Sequence, residues 1–164
     1  LVFLGMMGSG KSVVGSLVAK KLKLNFVDID NEIEKKMDTT IKKIFESKGE
    51  NYFRRIEEQI TLKKLKLSST IISLGGGAFV NKNIRQEITK NHLSFWLNWD
   101  TKILLNRIKN NKKRPLTIGA SDAELINLIN KKTYSYSKAL YEIKCDNLSK
   151  RQIVDNIIKI YETN

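Results

Sequence analysis

The sequence predicts an α/β fold of three layers, with a parallel sheet of about five strands between helices. Three observations carry that prediction. Short apolar runs alternate with longer stretches whose apolar residues recur at helical spacing, in the order βαβααβαβααβα. The first run, Leu1-Val2-Phe3-Leu4, passes directly into Gly5-Met6-Met7-Gly8-Ser9-Gly10-Lys11-Ser12 and then into a helix. The chain has 164 residues, 41% of them hydrophobic and 29% charged, which suits one domain (1–164) with a sizeable core.

The first helix, 11–22, is read from Val14, Leu17, Val18 and Leu22. The turn before it has the complete G-x-x-x-x-G-K-S spacing of a phosphate-binding loop, in the strand–turn–helix setting that supports it. The backbone N–H groups of Gly8, Ser9, Gly10, Lys11, Ser12 and Val13 are expected to face an anion at the helix N-terminus. Lys11 would reach the β- and γ-phosphates of a nucleoside triphosphate, and Ser12 would offer a hydroxyl to Mg²⁺. This loop predicts phosphoryl chemistry with a nucleoside triphosphate but does not name the acceptor.

A strand is expected over 25–30, with Asp28 and Asp30 on one side of its carboxyl end. Two carboxylates beside a phosphate site suit a metal's water shell or a substrate hydroxyl; alternatively they cap the next helix. Ile33, Met37, Ile41 and Ile44 predict a helix broken near 38–40 and ending near Gly49. A second helix, about 50–65, carries Phe53, Ile56 and Ile60. On it Arg54 and Glu57 share one face, as do Arg55 and Glu58, and periodicity does not say which pair meets a ligand.

The run 70–74 is β-branched and apolar, a buried strand, and it ends in Gly75-Gly76-Gly77. Such a triplet marks close approach of backbone to a ligand or a loose turn. A helix over 83–90 and a strand over 92–97 follow, with His92 read as structural or exposed. Asp100 is expected to cap a helix over 101–110. Residues 109–119 are polar, basic and broken by the chain's only proline, Pro115, and read as an exposed segment, either a plain loop or one able to close over a nucleotide. Ser121-x-x-Glu124 and Ser149-x-x-Gln152 are capping boxes that open two further helices, separated by a last strand near 142–145.

Composition narrows the function classes. The net charge is +13, from 30 Lys+Arg against 17 Asp+Glu. The lysines are spread over several helices without interleaved aromatics, so a solvated basic surface is expected rather than a nucleic-acid groove. No apolar run approaches the roughly 20 residues of a membrane span. One cysteine, Cys145, and one histidine, His92, exclude an internal disulfide and a Cys/His zinc cage. No leader peptide is recognised, and a cytoplasmic protein is expected. Leu1 already lies in a strand, so the true start is expected upstream.

Taken together, the loop, Asp28-x-Asp30, Gly49-Glu50-x-x-Phe53-Arg54-Arg55-Ile56-Glu57, Gly75-Gly76-Gly77 and Arg114-Pro115-Leu116 resemble shikimate kinase over essentially the whole chain. The resemblance implies a single P-loop kinase domain of the nucleoside monophosphate kinase type, with a substrate-binding helical region at about 31–66 and a lid at about 109–120. It implies ATP-dependent phosphorylation of the 3-hydroxyl of shikimate, a step towards chorismate and the aromatic amino acids. Lys11, Asp30 and Arg114 match the catalytic residues. Asp28 matches an outer-shell Mg²⁺ residue, with Ser12 as direct ligand and Ser73 as a supporting hydroxyl. Arg54, Glu57, Gly75, Gly76 and Gly77 match the shikimate site, which selects Arg54/Glu57 over Arg55/Glu58. Arg107 matches the arginine that packs on adenine, and Arg114 the lid arginine that also contacts ATP.

One departure stands out. The family places a second carboxylate-binding arginine four residues before a tyrosine, and here the stretch is Asn130-Lys131-Lys132-Thr133-Tyr134-Ser135-Tyr136. Lys132 is the expected substitute, with Lys131 the alternative register. A lysine offers a point charge rather than a bidentate fork, so weaker or water-bridged binding is expected. A monomer acting on shikimate and ATP, without nucleic acid or membrane, is expected. Another small-molecule P-loop kinase, for gluconate or a nucleotide, and a basic nucleic-acid-binding NTPase are the rival readings.

Overall fold

β1 (Val2–Leu4) is buried along its whole length, which is why its sequence is an uninterrupted apolar run. In this computed structural model, which describes residues 1–110 and 119–164, it is the middle strand of a five-stranded sheet of order β2-β3-β1-β4-β5. It pairs with β3 (Thr70–Ser73) and β4 (Ser94–Asn98), which pair in turn with the outer strands β2 (Asn25–Asp28) and β5 (Tyr141–Lys144), all parallel. The helices are α1 (Lys11–Leu22), α2 (Ile29–Met37), α3 (Ile41–Leu65), α4 (Lys82–Asn91), α5 (Thr101–Lys109), α6 (Asp122–Tyr136) and α7 (Lys150–Glu162). A short 3-10 turn, Ala78–Val80, follows the glycine triplet.

Strand alternation sorts the core into two halves. Val2, Leu4, Ile72 and Trp96 face a core built with α2 to α6, through Ile33, Phe53, Ile60, Ile84, Leu104 and Ile129. Phe3, Ile71, Phe95 and Leu97 face the other core, closed by Val14 and Val18 of α1 and by Ile153 and Ile157 of α7. Phe3 and Phe95, paired in register, stack with ring centroids 5.7 Å apart. Truncating a fully buried phenylalanine such as Phe3 to alanine costs roughly 3–5 kcal/mol. This double-sided burial is the expected three-layer α/β/α arrangement, and it leaves the carboxyl ends of the strands free to carry a site.

The helix signals act as anticipated. Both capping boxes form: Ser121 with Glu124 on α6, and Ser149 with Gln152 on α7. α3 is kinked at Gly49, whose φ of 75° and ψ of 173° interrupt the helix where its second half was expected to begin.

One expectation is corrected. The strand over 25–30 stops at Asp28, and Ile29 already begins α2. Asp28 and Asp30 therefore do not share a strand face. Asp28 is the N-cap of α2, its carboxylate accepting from the Asn31 amide at 3.3 Å, while Asp30 lies in the helix's first turn. A favoured N-cap placed directly after the strand outweighed its continuation. Arg114 and most of the expected lid, residues 111–118, lie outside the described residues.

Candidate active site

The carboxyl ends of β1, β2 and β3 hold one half of the site. After Leu4 the chain turns through the loop and enters α1 with Gly10 as N-cap at φ 88°. The loop is tied to itself by Ser9 N–H donating to Met6 O at 3.1 Å. Met6 and Met7, its variable positions, are 2% and 4% exposed, so the loop is anchored from below by core packing. Lys11 is buried, and its Nζ donates to the Gly5 and Met6 carbonyls at 2.9 and 3.0 Å. The ammonium is thus held along the loop. The first-turn amides of α1, through Val13, have no intrahelical acceptor and are available to an anion.

Ser12 Oγ donates to Asp28 Oδ2 at 2.5 Å and lies 3.5 Å from Ser73 Oγ. The register explains this cluster: Asp28 of β2 pairs with Ser73 of β3, which also pairs with Phe3 of β1. All three groups present oxygen, the donor type Mg²⁺ prefers when one carboxylate and substrate phosphates complete its shell. Among the described residues no cluster of three or more Asp, Glu, His or Cys could hold a metal alone.

The second half is assembled from α2, α3, the glycine triplet and α6. Arg54 Nη1 donates to Glu57 Oε2 at 2.6 Å, while Nε and Nη2 reach Glu50 Oε1 at 3.2 and 3.1 Å. The Glu57 side chain is only 3% exposed and that of Arg54 29%. Burial pushes the Glu57 carboxyl above the usual glutamate range; Arg54 and Lys132 pull it back, and Asp30 pushes it further up. Burial alone would lower the Arg54 pKa, but Glu57 and Glu50 hold it above the ordinary arginine value. The other candidate pair is split: Arg55 is exposed, and Glu58 accepts from Asn81 and Asn83 at the start of α4.

The triplet packs against these charges with no room for a side chain. A Cβ on Gly75 would sit 2.6 Å from Glu57 Oε1 and 2.7 Å from Asp30 Oδ1. One on Gly77 would fall on the Arg54 guanidinium, 2.8 Å from Cζ, and one on Gly76 would sit 3.1 Å from the Met7 amide nitrogen. Asp30, Arg54, Glu57 and the triplet are thereby shown to converge, with Gly76 joining them to the phosphate loop. α6 closes this pocket. Tyr136 OH donates to Gly76 O at 2.6 Å, and burial raises the phenol's pKa, so it stays a donor. One turn earlier Lys132 is 8% exposed and its charge is felt at Glu57, whereas Lys131 is exposed.

Two residues that hold parts of the site in place were not recognised from sequence. Tyr136 served only to set a register, yet it fastens the triplet. Trp99, between β4 and α5, donates from Nε1 to Ser9 O at 2.9 Å, and the Arg107 guanidinium carbon lies 3.7 Å from the centre of its ring. No local pattern links position 99 to position 9. His92 is remote from this site, at the amino end of β4, with Nε2 3.6 Å from Glu87.

A phosphate loop ending the middle strand of a parallel sheet, facing a desolvated pocket of fixed charges, defines a P-loop phosphotransferase with a small-molecule acceptor. Comparison with known proteins narrows this class. The chain belongs to the shikimate kinase family, whose family model matches residues 7–162. It is 39% identical over 160 residues to the shikimate kinase of Bartonella quintana (strain Toulouse), covering 97% of this chain and 76% of that protein. It is 37% identical over 169 residues to the shikimate kinase of Bacillus subtilis (strain 168), covering 97% and 87%. Among solved structures, shikimate kinase from Acinetobacter baumannii in complex with shikimate superposes with a TM-score of 0.92 at 28% identity, covering 99% of this chain and 92% of that one. That from Aquifex aeolicus gives 0.88 at 32% identity, covering 99% and 96%. Deoxyadenosine kinase from M. mycoides, at 15% identity and a TM-score of 0.60, shares the fold alone.

Proposed function

We propose that this protein transfers the γ-phosphoryl group of ATP to the 3-hydroxyl of shikimate, giving ADP and shikimate 3-phosphate. The observation that carries the reading is the convergence of Asp30, Arg54, Glu57 and the glycine triplet beside the phosphate loop. A planar guanidinium, neutralised on one side by Glu57 and Glu50, suits recognition of a carboxylate. Carboxylates and glycine backbone beside it suit a ring bearing hydroxyls. Family membership and the likeness to a shikimate-bound relative support the same acceptor.

In this scheme Asp30 orients the 3-hydroxyl and takes its proton as its oxygen bonds to the γ-phosphorus. The bond from that phosphorus to the β–γ bridging oxygen breaks, and ADP leaves. Lys11 and the loop amides carry the charge on the phosphoryl oxygens, so the work of the protein is positioning and electrostatic stabilisation. Ser12, with Asp28 and Ser73 behind it, would hold Mg²⁺, which would neutralise phosphate charge. Arg107 is assigned to the adenine and Arg114 to the transferring group, the latter on the sequence resemblance. No helix among the described residues is long and apolar enough to cross a membrane.

Lys132, rather than Lys131, is assigned to the substrate carboxylate because it alone of the two is buried near Glu57. Lys132→Ala is expected to raise the KM for shikimate about tenfold or more, the scale of a lost charge-assisted hydrogen bond, and Lys131→Ala to leave it unchanged. The activity is tested by ADP release with shikimate, gluconate, nucleoside monophosphates and nucleic acid offered in parallel. Stimulation by shikimate alone is expected. Stimulation by another acceptor and not by shikimate overturns the reading.

A further inference from the structure

The contact of Trp99 with both the phosphate loop and Arg107 has no part in the scheme above. Trp99 is half-buried immediately after β4, ahead of Asp100, the N-cap of α5. Its Nε1–H donates to the Ser9 carbonyl at 2.9 Å. The described residues contain no cis peptide, and in a trans peptide the C=O and the following N–H point in opposite directions. Fixing the Ser9 carbonyl on the indole therefore aims the Gly10 N–H away from it. That amide belongs to the loop's anion-binding set.

The same ring carries Arg107. The guanidinium carbon stands 3.7 Å from the ring centroid, and Nη1 makes a long contact of 3.5 Å to Gly8 O. α5 lies so close to the loop that a Cβ on Gly8 would meet Arg107 Cβ at 3.4 Å. Arg107 is otherwise exposed. An arginine on an open surface samples many rotamers, and holding one of them for a ligand costs entropy. Stacked on an indole it is held as a flat cation, with one face covered by Trp99 and the other open.

We propose that Trp99 is a positioning residue for the nucleotide. Its N–H sets the Ser9–Gly10 peptide of the phosphate loop, and its ring presents the open face of Arg107 to the purine base. This rests on the reading of the loop and Arg107 as the ATP site, but not on the identity of the acceptor. The layers would run indole, guanidinium, base, each pair attracted through π faces.

The test measures Mg-ATP affinity by calorimetry and the KM for each substrate by ADP release, on the full chain. Trp99→Leu removes both ring and donor and is expected to raise the Kd and KM for ATP about tenfold, the combined scale of a cation–π contact and a hydrogen bond. The KM for shikimate is expected to stay within about twofold, a split that general loss of structure would not give. Trp99→Phe keeps the ring face and is expected to fall between wild type and Trp99→Leu; it serves as the test if the leucine variant is unstable. Arg107→Met combined with Trp99→Leu is expected to cost less than the two single losses added together, because the two groups act as one unit. ATP affinity within about twofold of wild type in Trp99→Leu and Trp99→Phe, strict additivity with Arg107→Met, or equal rises in both KM values overturns the proposal. A wild-type protein that binds Mg-ATP but ignores shikimate overturns the acceptor reading, and the calorimetric comparison still decides Trp99.

Discussion

The two halves of the site are built by different means. The phosphate half is local: Gly5 to Ser12 are consecutive, and their business is done mainly by backbone and one lysine. The acceptor half draws Asp30, Arg54, Glu57, the triplet and Lys132 from four separate parts of the chain and works through side-chain charges in a desolvated pocket. A backbone cradle is insensitive to most substitutions around it. A buried charge network is not, because removing one member leaves the rest unpaired in a medium of low polarity. The halves should therefore fail in different ways.

The largest effect is expected from Lys11→Ala. Turnover should fall on the order of 10³-fold, while circular dichroism and the Kd for shikimate stay close to wild type. A matching loss of shikimate affinity would show that the halves are not separable. Gly75→Ala should break the acceptor half alone. Its methyl would displace the tips of Glu57 and Asp30, which move more cheaply than backbone but lose their aim. A misplacement of this kind is expected to lower kcat/KM for shikimate on the order of 10²-fold. Stability should fall by only about 1 kcal/mol, and ATP affinity should hold.

A smaller effect distinguishes the halves by pH. Glu57 holds its proton more firmly in the folded chain than in the unfolded one, because burial raises its pKa beside Asp30 while Arg54 and Lys132 oppose the rise. The folded state thus binds more protons in the window above the ordinary glutamate value. Stability contributed there is present at lower pH and is lost as pH rises through the folded pKa. Denaturant titrations across that window should show this fall, and Glu57→Gln should flatten it. The smallest effect lies outside both halves. Ser149→Ala removes the cap of α7 and should cost about 1 kcal/mol, or roughly 2–4 °C in Tm, with kinetics unchanged.

The same contrast explains what could be read from the chain. The phosphate loop was legible because all its information is contiguous and its flanks pass the strand and helix tests. In the acceptor half, Asp30 and the triplet were marked by their places at strand ends, but the Arg54/Glu57 pair was selected only by resemblance, since periodicity placed it and Arg55/Glu58 on equal terms. Geometry separates them: Glu57 points into the pocket against Gly75, while Glu58 ties down the start of α4. Asp28 and Asp30 were assigned to one strand face, but the N-cap at Asp28 sends them to different halves, Asp28 to Ser12 and Asp30 to Gly75. Trp99 and Tyr136 carried no local signal, because their partners Ser9 and Gly76 are 90 and 60 residues away.

Sequence alone determined the α/β alternation, the caps of α6 and α7, and the phosphate loop, because each follows from neighbours within a few residues. Tertiary structure decided the strand order, the division of labour between Asp28 and Asp30, the burial of Lys132 over Lys131 and the Trp99–Arg107 stack. Those depend on which surfaces exclude water together, and that is set only when separate elements pack.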